Sequence, residues 1–201
     1  ALAAGALLGS INGGLVTVGK VSPIIATLGT GAIFAAVQFG LWGSRDILSP
    51  PVLDILGPHS RLAGIPTVFF VVILLYGLLL YFLKYQRLGR HLYAIGNDAT
   101  GARLLGIKVN QTVFLSYVGV GALVGLASLV YIGRVGAAQA YTGLELLLPA
   151  IAAVMVGGTS ILGGFGGVAR TFGGLAFIAI LENGVVLMGV PSLWNNFMVG
   201  A

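Results

Sequence analysis

Apolar residues fill six long segments of the chain, and the charged residues are confined to the stretches between them. The uncharged segments are 1–19, 21–44, 62–83, 109–133, 146–169 and 183–201. A helix needs about 20 apolar residues to cross a hydrocarbon core about 30 Å thick. Each segment reaches or approaches that length. The predicted helices are 2–18, 22–42, 65–83, 111–133, 146–160 and 169–189, with a seventh beginning near 193.

These segments predict the fold class. Only helices and closed barrels satisfy the backbone in lipid, and continuous apolar runs lack the alternation of barrel strands. We therefore predict an all-α fold, a polytopic transmembrane helical bundle with six to seven helices in this chain. The chain opens without Met inside one apolar run and stops inside another. We expect 1–201 to be a single transmembrane domain, truncated at both ends.

Composition agrees with a membrane protein and excludes several functions. Hydrophobic residues make up 58% of the chain and charged residues 7%, whereas soluble domains carry about 25% charged residues. The net charge of +5 does not indicate nucleic-acid binding, because Lys and Arg also gather at the cytoplasmic ends of membrane helices. The absence of cysteine excludes disulfides and thiolate catalysis. The sequence offers neither metal-ligand spacing nor a Ser-His-acid set, so we expect no enzyme activity, cofactor or metal in this chain.

The distribution of Lys and Arg predicts an orientation. The segment 84–108 contains five basic residues and one acid, Asp98, and the positive-inside bias places it in the cytoplasm. Alternation of the helices then puts 43–64 and Arg134 outside. Seven Lys and Arg residues fall inside and three outside.

The outer segment 43–64 contains Pro50, Pro51 and Pro58, which exclude a continuous helix there. We favour a solvated connector, since surface loops are usually connections. A docking surface for an extracellular partner is the alternative.

Glycine spacing predicts close helix contacts. Gly5, Gly9 and Gly13 lie four apart on one helix face, and Gly121 and Gly125 repeat the spacing. Small residues at this spacing let membrane helices approach closely.

Residues 157–167, here called the glycine turn, contain six glycines in eleven residues. So many glycines do not sustain a helix. A phosphate-binding loop would need a Lys-Ser/Thr pair after the last glycine, and this chain has none. We favour a tight inner turn. The alternative is a broken helix of the transporter kind that lines the substrate path with Thr159 and Ser160.

A weak internal echo points to an inverted repeat. Asn12-Gly13-Gly14 leads to Gly19 and Pro23, and Asn183-Gly184 leads to Gly189 and Pro191. The two helices run in opposite directions in the predicted topology, as in inverted-repeat transporters. The match is short, and a chance match is the alternative.

Glu182 is the only acid well inside a predicted membrane helix. It lies twelve residues past Arg170, or about 18 Å along the axis. An ionisable residue at that depth serves function, or else it pairs with a neighbouring helix or is protonated. Each of the further polar candidates either lines the substrate path or makes hydrogen bonds between helices. They are Asn12, Thr27, Asn183, Asn195 and Asn196.

Motifs along nearly the whole chain resemble a known family. They are GRHLYAIGN at 89–97 followed by Ala99, Ala102-Arg103 and Gly106-Ile107, then Ile151-Ala152-Ala153-Val154, Gly157-Gly158-Thr159-Ser160, Gly163-Gly164 and Gly166, with Asn12-Gly13 and Thr27-Leu28-Gly29. Together they resemble the bacterial sugar permeases of the ribose/xylose type, the membrane subunits of ATP-binding-cassette importers. The ending Trp194-Asn195-Asn196-Phe197 is most similar to the branch that imports furanosyl quorum-sensing signals.

The resemblance implies a subunit of the bacterial inner membrane that imports a sugar or sugar-like solute. It implies a homo- or heterodimer of permease subunits, a periplasmic solute-binding protein that delivers substrate, and a cytoplasmic ATPase subunit that binds the ATP. Branched-chain amino-acid permeases are the nearest rival family. A passive channel is the rival from another class, although the paired Asn-Pro-Ala motifs of water channels are absent from this sequence.

The resemblance also places the coupling to the ATPase within a cytoplasmic loop at 88–108. The coupling candidates are Gly96, Asn97, Asp98, Ala99, Arg103 and Gly106. We predict a short helix over 98–105, capped by Asn97, with Asp98 complementing the dipole and Gly106 ending it. It would present Arg103 to the ATPase and Leu104 and Leu105 to a groove. A solvated inner loop is the alternative.

Overall fold

The structure, a computed structural model, describes residues 1–43, 47–57, 60–62, 64–138, 143, 146–160 and 163–188. Its helices are α1 (Leu2–Thr17), α2 (Pro23–Trp42), α3 (Thr67–Tyr85), α4 (Arg87–Asn97), α5 (Ala99–Leu104), α6 (Val109–Val135), α7 (Leu147–Val156) and α8 (Val168–Leu187), with a 3-10 helix at Pro51–Leu56. Its short strands are β1 (Ile47–Leu48), β2 (Arg61–Leu62), β3 (Ile65–Pro66) and β4 (Ala137–Ala138). The all-α prediction is confirmed.

Six of the predicted helices are present as α1, α2, α3, α6, α7 and α8. Among the described helices, α2, α3, α6 and α8 are long and apolar enough to cross a membrane, while α1 and α7 are shorter apolar helices. The chain is therefore a multi-pass membrane protein. The predicted helix near 193 lies outside the described residues.

Several predicted boundaries differ from the structure by two residues or more, and two of the differences have local reasons. α3 begins at Thr67 rather than 65, because Ile65 and Pro66 form β3 and pair with β2. α7 ends at Val156 rather than 160, because Gly158 takes a left-handed conformation with φ +74° that few other residues adopt.

The described chain divides into two compact units. Unit 1 is Ala1–Leu75 with Gly106–Thr142, and unit 2 is Tyr76–Leu105 with Gly143–Ala201. The prediction of a single transmembrane domain over 1–201 stays a prediction. So does the inverted repeat, because Gly189 and Pro191 lie outside the described residues.

Glycine contacts hold α1 against α6 in unit 1. A Cβ added to Gly5 would overlap the carbonyl of Gly121, and one added to Gly9 would overlap the carbonyl of Tyr117. Later residues of α1 meet earlier residues of α6, so the two helices run antiparallel. The predicted glycine interface is confirmed, and it brings two backbones into direct contact.

Within the connector 43–64, β1 and the 3-10 helix pack on the end of α6 in unit 1. β1 pairs antiparallel with β4, which follows α6. The 3-10 helix lies on Gly133, where an added Cβ would come within 2.8 Å of Leu56 Cβ. Pro51 begins this 3-10 helix, and no α-helix forms within the described residues of 43–64. The predicted exclusion of a continuous helix is confirmed.

Glycines also hold the α7–α8 hairpin together in unit 2. A Cβ added to Gly174 would overlap the carbonyl of Ala153, and one added to Gly157 would lie 2.5 Å from the carbonyl oxygen of Arg170. The second part of α3 belongs to the same unit, where Tyr76 meets Phe172 edge to face with ring centroids 5.1 Å apart.

Candidate functional site

The candidate coupling segment at 88–108 is mostly helical. The predicted short helix is present as α5, whereas the helix α4 that precedes it was not predicted. α4 covers its first part and α5 its second. Leu88, Leu92 and Ile95 recur at the spacing of one helix face. The charges between them were interpreted as a loop, although an interfacial helix carries such charges on its polar face.

Asp98, rather than Asn97, caps α5. Asp98 has an extended backbone (φ −154°, ψ 104°), and its side chain accepts a hydrogen bond of 2.9 Å from the amide of Thr100. Asn97 is the last residue of α4, and a cap needs the non-helical backbone that Asp98 has. The predicted cap at Asn97 was therefore wrong by one residue. Gly106 follows α5 with φ +80°, which confirms that it ends the helix.

α5 turns an apolar and basic surface outward. Leu104 and Leu105 are 86% and 81% exposed, and Arg103 and Ala99 are exposed too. Ala102, in the same helix, is buried at 3% exposure. Exposed leucines next to an arginine form a surface suited to a protein groove.

The end of α4 rests on the glycine turn. A Cβ added to Gly96 would overlap the backbone nitrogen of Gly164, and one added to Gly164 would lie 3.0 Å from Asn97 Cα. The Tyr93 hydroxyl donates a hydrogen bond of 3.2 Å to the carbonyl of Gly166. The structure therefore joins two motifs that are about 70 residues apart in sequence.

The glycine turn is a tight connection between α7 and α8 in its described residues. The amide of Ser160 donates to the carbonyl of Phe165 at 2.8 Å, and the hydroxyls of Thr159 and Thr171 lie 3.2 Å apart. Arg170 lies over the Phe165 ring at 4.7 Å from its centroid. These contacts favour the inner-turn interpretation over a broken helix that lines the path.

A cavity of about 400 Å³ opens between α3, α4 and the glycine turn in unit 2. Tyr76, Leu79, Leu83 and Leu92 form its apolar side. Its lining also includes Tyr93, Thr159, Ser160 and Thr171, which carry hydroxyl groups. Thr159 and Ser160, the two residues of the turn that were candidates for the substrate path, thus line a cavity next to the coupling segment.

Glu182 lies on the buried face of α8. Ile178 and Val185, which are 7% and 3% exposed, precede and follow it on that face. Glu182 itself is half-buried. It lies eleven residues beyond Thr171, about 17 Å along the axis, so the structure places it well away from the glycine turn.

Asn183, by contrast, is exposed. Its amide Nδ2 donates to the carbonyl of Ala179 at 2.9 Å, one turn earlier in the same helix. Asn195 and Asn196 lie outside the described residues.

Asn12 and Thr27, the two candidates in unit 1, have different surroundings. The Thr30 hydroxyl donates a hydrogen bond of 2.6 Å to Asn12 Oδ1. Thr27 is exposed and donates to the carbonyl of Pro23 in its own helix at 2.9 Å. The structure thus brings Asn12 into a polar pair between helices.

Sequence reasoning missed Thr30, Tyr93 and Thr171. Thr30 follows Thr27 on the same face of α2, and a search for polar partners of Asn12 could have found it. Tyr93 belongs to the motif at 89–97 without a role assigned to it. No sequence signal connected Thr171 with Thr159.

Comparison with known proteins places these features in a family. The family described as the permease component of branched-chain amino acid transport systems matches residues 1–201. The chain belongs to this permease family. No solved structure matches the permease significantly.

Three relatives illustrate the family. The permease is 37% identical over 200 residues to a probable ABC transporter permease of Sinorhizobium fredii, covering 99% of this chain and 60% of that protein. It is 34% identical over 199 residues to the ribose import permease of Escherichia coli K12, covering 97% of this chain and 62% of that protein. It is 34% identical over 209 residues to the autoinducer 2 import system permease of an Enterobacter strain, covering 100% of this chain and 58% of that protein. The chain thus spans about 60% of the length of these relatives.

Proposed function

We propose that the chain is part of the membrane subunit of an ATP-binding-cassette importer. This importer moves a sugar or sugar-like solute into the cytoplasm. The observation that carries this proposal is its 34% identity to the ribose import permease over 97% of the chain. The alignment with the autoinducer 2 import permease over the whole chain supports it independently. Branched-chain amino acid import, the alternative, is named in the family description, but the ribose and autoinducer 2 relatives do not favour it.

In this proposal a separate cytoplasmic subunit binds and hydrolyses ATP, and it docks on α5. The exposed surface of Arg103, Leu104 and Leu105 supports that docking site. A periplasmic solute-binding protein delivers the solute, and a second permease subunit, identical or different, completes the path. The chain itself holds no cofactor, and the complex lies in the bacterial inner membrane.

Uptake measurements test the proposal directly. Cells that produce the protein with its ATPase and binding protein should accumulate labelled ribose or a related sugar against its gradient, and depleting ATP should stop accumulation. Accumulation of leucine but not sugar would favour the branched-chain candidate. Downhill sugar flux that survives ATP depletion would contradict an importer and indicate a passive channel.

Charge reversal on α5 tests the docking site. Arg103→Glu should weaken copurification of the ATPase subunit and lower substrate-stimulated ATP hydrolysis, because an exposed arginine would face the partner. Lys108→Glu is the matched control, since Lys108 is also exposed and basic but follows the end of α5. Equal copurification for Arg103→Glu and the unmodified protein would contradict a docking role for Arg103.

A further inference from the structure

Three glycines meet through their backbones where α4 reaches the glycine turn. A Cβ added to Gly96 would overlap the nitrogen of Gly164 and lie 3.3 Å from the carbonyl carbon of Gly163. One added to Gly163 would lie 3.2 Å from the Gly96 carbonyl oxygen. No side chain separates the two segments at this point, so the contact has no rotamers through which it could give way.

On its own side of this contact, the glycine turn holds backbone conformations that require glycine. Gly163 and Gly164 have φ values of +94° and +76°, and Gly166 has +147°; other residues seldom adopt these values. Gly166 is further fixed by Tyr93, whose hydroxyl donates to its carbonyl. An added Cβ on Gly166 would lie 2.5 Å from the side chain of Thr159.

The other end of the turn continues into the hairpin of α7 and α8. Gly157 and Gly174 seat these helices backbone to backbone, as described above. The hydroxyls of Thr159 and Thr171 bridge the turn to the first residues of α8. A displacement of the turn therefore moves α7 and α8 together.

Only one residue, Asp98, lies between α4 and α5. Asp98 leaves the helical conformation and caps α5, so α5 follows the end of α4 directly. A displacement of the exposed leucines at the end of α5 is therefore transmitted to Gly96 through only a few residues of the chain. The backbone contact, the glycine turn and the hairpin then form one continuous series of packed groups, and coupling between distant sites can be carried by such a series.

We propose that the contact of Gly96 with Gly163 and Gly164 is the joint through which movement of α5 reaches the α7–α8 hairpin, with Gly96 and Tyr93 as its positioning residues. The inference rests on the proposed importer function and adds to it the route of coupling. Docking on α5 and transmission through Gly96 are separate steps, so they respond to different substitutions.

Gly96→Ala is the decisive variant. Its methyl group would force α4 away from Gly164, while α5 keeps its exposed surface. In reconstituted complexes we expect the ATPase still to copurify, and solute uptake and its stimulation of ATP hydrolysis to fall by about tenfold, within the range of coupling energies. Gly167→Ala is the matched control in the same turn, because its Cβ would meet only Tyr93 Oη, at 3.8 Å.

A second variant covers the case in which Gly96→Ala does not assemble. Tyr93→Phe keeps the ring and removes the hydrogen bond to Gly166. It should lower uptake by about threefold with the ATPase still bound. If an assembled Gly96→Ala variant or the Tyr93→Phe variant takes up solute as fast as the unmodified complex, the proposed joint is contradicted. An unmodified complex without ATP-dependent sugar uptake would instead overturn the proposed function.

Discussion

The Thr30 hydroxyl donates a hydrogen bond of 2.6 Å to Asn12 Oδ1 and thereby ties α2 to α1. Thr30 is only 7% exposed, and the carbonyl of Ala26 in its own helix lies 2.9 Å from the same hydroxyl. Polar bonds of this kind between membrane helices contribute on average about 0.6 kcal/mol. The pair favours a structural role for Asn12 over one in the substrate path.

We therefore predict that Asn12→Ala and Thr30→Val each lower stability by about 1 kcal/mol and leave the apparent affinity for solute unchanged. A double-mutant cycle, measured by unfolding in mixed micelles, should give less loss for the pair than the sum of the single losses. Thr27→Val is the control, because that hydroxyl bonds only within its own helix. If Asn12→Ala instead raises the KM for uptake, Asn12 has a role in the substrate path.

Two glycines of α1 should respond oppositely to alanine. Gly9→Ala inserts a methyl group against the Tyr117 carbonyl and should cost about 1–3 kcal/mol, as overpacking does. Gly14→Ala meets nothing within 4 Å and should gain up to about 1 kcal/mol from helix propensity. Thermal unfolding of the purified protein in detergent measures both. A Gly9→Ala variant as stable as Gly14→Ala would contradict the α1–α6 contact.

The cap of α5 predicts a contrast between adjacent residues. Asp98→Ala removes the acceptor for the Thr100 amide and should destabilise α5 by about 1 kcal/mol. Asn97→Ala leaves that bond intact and serves as the control. Amide hydrogen exchange at Thr100 and Gly101 should accelerate in Asp98→Ala only. Faster exchange in Asn97→Ala alone would assign the cap to Asn97 instead.

Glu182 and Asn183 are adjacent in sequence and differ in burial. Glu182→Gln should reduce uptake several-fold, because a half-buried carboxyl at membrane depth is retained for function by default. Asn183→Ala should have little effect, since its side chain is exposed and bonded within α8. Both variants should assemble normally. Full uptake by Glu182→Gln at normal expression would leave Glu182 with a packing role.

The orientation can be tested because the chain has no cysteine of its own. Val52→Cys should react with an impermeant thiol reagent in intact cells, and Asn97→Cys only after permeabilisation. Val52 is 78% exposed, and Asn97 is exposed as well. If Asn97→Cys but not Val52→Cys is labelled in intact cells, the orientation is the reverse of the predicted one. The pairing of β1 with β4 supports the prediction, because it puts β1 and the end of α6 on one side of the membrane.

The long helices were predictable from sequence because hydropathy and length govern membrane spans. The glycine interface was predictable too, since a spacing of four residues by itself puts small residues on one face of a helix. The contact between Gly96 and Gly164 was not, because it depends on the path of the chain through two helices and a turn. α4 was missed because its basic residues carry the same charge signal as a cytoplasmic loop.

No residue of α3 is buried in the structure, although it is the most hydrophobic of the described spans, with a mean hydropathy of 2.3. Most of its side chains are only partly enclosed by the described part of the chain, whereas glycines of α1 meet the backbone of α6 directly. Random substitution should therefore find many acceptable sequences for α3, provided that they stay apolar, and very few for the glycine face of α1. The sequence of α3 is thus constrained mainly by its overall hydrophobicity, whereas the sequence of α1 is constrained by the positions at which a side chain must be absent.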